Sequence, residues 1–143
     1  MAENRANHRA PGWFTVAAIG ALLWEALGCA LYVLNAFADP ARMPIDQRAI
    51  VAATPAWMFA AWSFAVLVGL VGAVLLVIRH RRAEPLLLVS LVALAVQLSG
   101  LLLVPGLRDL VASDDLLVPF VVLVVSYSVW HLARLARRSG WLR

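Results

Sequence analysis

The sequence predicts an all-α membrane protein, a bundle of four transmembrane helices, and three observations predict it. Of 143 residues, 64% are apolar and only 14% are charged, where a soluble domain is about 45–50% apolar and about 25% charged. The apolar residues fall into four long runs, each near the ~20 residues that cross ~30 Å of hydrocarbon. The charges gather between the runs. A soluble fold of this size could not cover so much apolar surface, whereas lipid solvates the outer faces of a bundle.

The elements follow in order. Residues 1–12 read as an N-terminal arm and 139–143 as a tail, with a single membrane domain over 13–138 between them. The first span covers 13–37, from Trp13 to Phe37, and Asp39-Pro40 ends it. It is longer than the 7–15 apolar residues of a signal peptide, and Tyr32–Asp39 lacks a small-x-small cleavage site, so it reads as a retained helix. In the loop Ala38–Thr54, the stretch Pro44–Val51 forms either a short helix on the membrane surface or an irregular loop. The second span covers 55–78, with Thr54 as N-cap and Pro55 at the first helical position. Arg79-His80-Arg81-Arg82 closes it in a tight turn, Pro85 opens the third span over 85–104, and Pro105-Gly106 stops that one. The fourth covers about 116–134. Ser113-Asp114-Asp115 is expected to cap it, and Pro119 to bend it. Trp13, Trp57, Trp62, Trp130 and Trp141 lie near span ends, where aromatic belts form.

Orientation follows from arginine. All twelve basic residues are Arg, and nine stand on one side, in the N-terminal arm, the middle loop and the tail. Arg42, Arg48 and Arg108 stand on the other. This bias predicts cytoplasmic termini in a bacterial inner membrane. The clusters flank apolar runs and form no continuous basic face, which argues against a nucleic-acid partner. The lipid bilayer is the first partner, and Arg134, Arg137 and Arg138 suit snorkelling to anionic headgroups.

Some residues invite close packing. Ala61, Ala65, Gly69 and Ala73 form a stripe at four-residue spacing on the second span, and Gly20, Trp24 and Gly28 form another on the first. Small residues let helix backbones approach, within the bundle, in a homo-oligomer or against a larger membrane complex.

Other residues break the apolar pattern. Glu25 lies roughly 18 Å along its helix from Trp13, near the bilayer middle. An acid there costs several kcal/mol on insertion scales and should face the interior. Gln97 reaches a similar depth when counted from Pro85, which makes it the expected partner. Tyr32 and Asn35 continue the polar trail, and Ser63, Ser99, Ser126, Ser128 and Tyr127 are further candidates. Two readings stand: a solute site linked to a proton or cation, or an interhelical hydrogen bond that fixes packing. The lone Cys29 cannot pair within the chain. His8, His80 and His131 make no metal spacing, and no nucleophile triad, phosphate loop or haem-attachment motif occurs. No enzyme activity, metal or cofactor is expected.

Two resemblances bear on function. LLWEALGCALYV, RAIVAATPAWMFAAW, the short basic loop and the closing ARRSGWLR together resemble a group of small bacterial four-helix membrane proteins often labelled "sugar transporter". In that group the place of Glu25 is often Asn, which implies a need for polarity there. The stretch Gly20-Ala21-Leu22-Leu23-Trp24-Glu25 is similar to the first helix of the small multidrug-resistance transporters, although the long first loop and firm Arg bias depart from them. Small size, packing stripes and absent catalytic motifs favour an accessory or structural membrane subunit or a small oligomeric scaffold. The alternative is a transporter of small sugar-like or cationic solutes that uses Glu25 and Gln97.

Overall fold

A computed structural model describes residues 10–111 and 116–143. The helices are α1 (Gly12–Ala36), α2 (Ile45–Ala53), α3 (Ala56–Val77), α4 (Ala83–Leu103), α5 (Pro105–Arg108) and α6 (Leu117–Arg138), with a 3-10 turn at Pro40–Arg42. The described residues contain no strand. The four helices α1, α3, α4 and α6 are long and apolar enough to cross a membrane, so the chain is a multi-pass membrane protein. Val16, Leu23, Leu67, Leu103 and Phe120 stay exposed on their outer faces, as lipid-facing side chains do.

Several helix ends differ from the expected ones. Thr54 does not cap α3. It closes α2, where its hydroxyl donates to the Ile50 carbonyl at 2.7 Å, and Pro55 takes the N-cap place. The loop before α3 is therefore helical over α2, so Thr54 completes one helix before the next begins. α4 starts at Ala83, which puts Pro85 inside its first turn. Pro119 likewise stands in the first turn of α6, and a first-turn N–H has no intrahelical partner to lose, so no bend is required there. The proposed cap Ser113-Asp114-Asp115 lies outside the described residues.

The Arg-rich end is closed by two similar C-terminal motifs. In α6, Gly140 adopts a left-handed φ of 70°, and the Trp141 N–H donates back to the Ala136 carbonyl at 2.9 Å. In α3, Arg79 takes φ 61°, and the His80 N–H donates to the Leu75 carbonyl at 2.8 Å. Both are Schellman endings, which satisfy otherwise unpaired carbonyls. The tail then pairs with the α3–α4 turn: the Arg81 N–H donates to the Arg143 carbonyl, and the Arg143 N–H to that of Arg79. Arg79 also reaches across to the Thr15 hydroxyl at 3.1 Å, and Arg137 pairs with Glu84. Beneath, Trp13 meets Phe14 and Trp141 edge-on, and Phe14 and Trp141 pack at a tilt.

α3 is the central helix. It packs on both α1 and α4, and α4 packs in turn on α6. Buried Ala65, Gly69 and Ala73 carry the predicted stripe, with Ala61 half-buried at its outer end. At Gly72, any Cβ would stand 2.9 Å from Leu87 Cγ and 3.2 Å from its backbone nitrogen. Gly100 is filled in the same way by Met58. The other stripe behaves differently. Around Gly20 and Gly28 no atom lies near enough to touch a Cβ. They are not close-packing positions: Gly20 lines the seam between α1 and α6, and Gly28 lines a cavity between the helices. The apolar core, built on Phe14, Ala18, Leu76, Leu87, Ala133 and Leu142, is concentrated at the Arg-rich end.

Candidate functional site

Beyond that core the described residues line two partly open cavities that share Trp62. The inner one, of ≈ 120 Å³, lies where α1, α3, α4 and α6 converge. Glu25 supplies its acid, Trp24 and Trp62 supply indole surfaces, and Ser90 and Ser126 supply hydroxyls. Glu25 is directed here by the absence of a side chain on α3. A Cβ at Gly69 would lie 2.5 Å from Glu25 Oε2 and 2.8 Å from Ser90 Oγ. Gly69 thus opens the notch that receives the carboxyl, a role its place in a packing stripe did not suggest.

Ser90 does not answer the carboxyl as a donor. Its only hydroxyl proton goes to the Ala65 carbonyl at 2.7 Å. Among the described residues no side chain donates to Glu25. The group faces a cavity.

The expected Glu25–Gln97 pair does not form. Glu25 is level with Ser90, and Gln97 lies seven residues further along α4, roughly 10 Å at 1.5 Å per residue. The count failed because Trp13 and Pro85 are not level. The α3–α4 turn sits opposite Thr15, within the first turn of α1, so α4 starts higher in the bundle than α1 does.

Gln97 belongs to the outer cavity, of ≈ 420 Å³, together with Asn35, Gln47 and Thr54. Helix α2 and the end of α1 wall it, and α2 rests on α5, whose Leu107 is fully buried. Trp62 lines both cavities, so it forms the partition and not part of an interfacial belt. Its indole is held edge-on by Tyr32, with ring centres 5.1 Å apart. Ser63 donates to the Phe59 carbonyl at 2.8 Å, which leaves Tyr32 as the donor in its 2.5 Å bond to the Ser63 hydroxyl. Tyr32 is therefore a bracing residue for Trp62.

Tyr127 lies elsewhere. It is about half exposed and packs beside Trp130 and His131 on the outer face of α6. Its neighbour Ser126 turns inward, since adjacent helical positions face about 100° apart. Sequence reasoning missed Ser90, Trp24 and Trp62 as lining residues. The tight turn around His80 was the available signal: in an antiparallel hairpin, positions equidistant from the turn meet, which sets Ser90 against Gly69.

Compared with known protein families, curated proteins and solved structures, the chain matches none of them.

Proposed function

We propose that this chain is a non-enzymatic inner-membrane transporter of a small cationic solute, with its termini in the cytoplasm. One observation carries the reading: the Glu25 carboxyl is turned into a partly open cavity between the helices, and no donor side chain among the described residues meets it. A bilayer-embedded acid needs a counter-group. A cation in the cavity would supply it, and the faces of Trp24 and Trp62 would add cation–π attraction. The outer cavity then serves as the approach, and Trp62 as the partition that separates the two compartments. The nine-to-three Arg asymmetry supports the orientation.

Uptake of labelled methylammonium and ethylammonium into proteoliposomes tests this. Wild-type protein should exceed protein-free vesicles, and Glu25→Gln should fall to background. Gly69→Ala, which keeps the acid but closes its notch, should also reduce uptake, by about tenfold if it costs the bound cation ~1.4 kcal/mol. Equal uptake by wild type and Glu25→Gln would overturn the role of Glu25.

A second reading has its own observation. The α1–α6 seam is lined by Gly20 and Ala21 opposite Val125 and Val129, and no described residue fills it. That geometry suits the subunit reading, in which a helix of a homo-oligomer or larger complex occupies the seam. Cross-linking from a cysteine introduced at Gly20, in a Cys29→Ser background, distinguishes them: a cross-linked product in native membranes supports the subunit reading.

A further inference from the structure

We infer that the outer cavity is a ligand site in its own right, distinct from Glu25, and that it takes a small primary ammonium. This deepens the transport reading by naming the class of solute met first, but it stands on different residues. Three features of the cavity agree.

Two side chains at its wall are left with a free acceptor oxygen, beside the amides of Gln47 and Gln97. The Asn35 Nδ2 donates to the Leu31 carbonyl at 2.8 Å, so its Oδ1 remains available. The Thr54 hydroxyl proton is given to Ile50, so its oxygen can only accept. Next, the cavity is bounded by the C-terminal ends of α1 and α2, at Ala36 and Thr54. Helix C-termini carry partial negative charge and unpaired carbonyls. Among the described residues no basic side chain lines the cavity. The nearby Arg48 guanidinium is spent on the Ala41 and Met43 carbonyls, each at 3.2 Å. Lastly, Phe59 and Trp62 supply aromatic surface on the α3 side, which suits an alkylammonium more than a hydrated inorganic ion.

A cation here also solves an approach problem. Moving directly from water to Glu25 would strip its hydration in one step, whereas amide, hydroxyl and carbonyl oxygens replace that hydration in stages.

The test uses the full chain in nanodiscs, with ethylammonium as probe and acetamide as neutral comparator, followed by ligand-observed NMR titration. The Glu25→Gln protein should still bind ethylammonium, and acetamide should bind at least tenfold more weakly. In that background, Thr54→Val should weaken binding severalfold, and Asn35→Asp, which adds charge at an acceptor position, should strengthen it about tenfold. Circular dichroism would check that each variant keeps its helix content. Loss of all ethylammonium binding in Glu25→Gln would overturn the inference while leaving the Glu25 reading intact. So would equal binding of acetamide, or an Asn35→Asp affinity no higher than that of its parent. Retained outer binding with uptake unaffected by Glu25→Gln would sink the transport role of Glu25 and leave the outer site standing.

Discussion

At the scale of single residues, the glycines of the bundle do different work according to what faces them. Gly72 meets Leu87 down to its backbone nitrogen, 3.2 Å from where a Cβ would be. A backbone atom cannot swing aside, so Gly72→Ala should overpack the α3–α4 contact and cost ~1–3 kcal/mol. Gly100 meets the thioether end of Met58, which is flexible and can take another rotamer. Gly100→Ala should therefore cost less than Gly72→Ala. Thermal melting of both variants in one detergent checks the order, and a reversed order would show that the helices separate more easily than the side chain moves. None of this could be read from the sequence. The alanine and glycine spacing marked Ala65, Gly69 and Ala73 on one face, but it marked Gly20 and Gly28 by the same rule, and of those Gly20 faces the α1–α6 seam while Gly28 lines the inner cavity. The spacing gives a face and does not say which neighbour meets it.

At the scale of elements, α2 decides the character of the outer side. The sequence left Pro44–Val51 open between a surface helix and a loop, because a nine-residue helix has too few turns to be stable by itself. Packing settles it. α2 rests on α5, and α5 is anchored by the fully buried Leu107. Leu107→Ala should remove that anchor at ~2–5 kcal/mol of local packing. Amide hydrogen exchange over 45–53 should then quicken while that of α3 and α4 changes little. Protection of α2 unchanged by the substitution would show that α2 is held by the cavity wall instead. The same local view explains the misplaced caps. Thr54 followed by Pro55 fits a helix start, and it fits equally a helix end followed by a proline break.

At the scale of the whole molecule, one end is packed and tied, and the other holds the cavities. The C-terminal tail pairs with the α3–α4 turn and stacks on α1, so all four spans are fastened at the Arg-rich end. Four spans place that end and α2 on opposite sides of the membrane. In a Cys29→Ser background, cysteines at Asp46 and at Arg138 should react with a membrane-impermeant maleimide from opposite faces. Labelling of both from one face would overturn the four-span arrangement.

The sequence by itself determined the number of spans, their approximate ends and the asymmetry of charge, because these depend on hydrophobic length and on residues adjacent in the chain. It also singled out Glu25, since an acid in an apolar run is visible without any neighbour. Only the tertiary structure decided what Glu25 faces. Its surroundings depend on the vertical offset between α1 and α4, and that offset is set by the α3–α4 turn and tail packing against the first turn of α1. A register shift of two helical turns leaves hydropathy unchanged but moves Gln97 into one cavity and Glu25 into another.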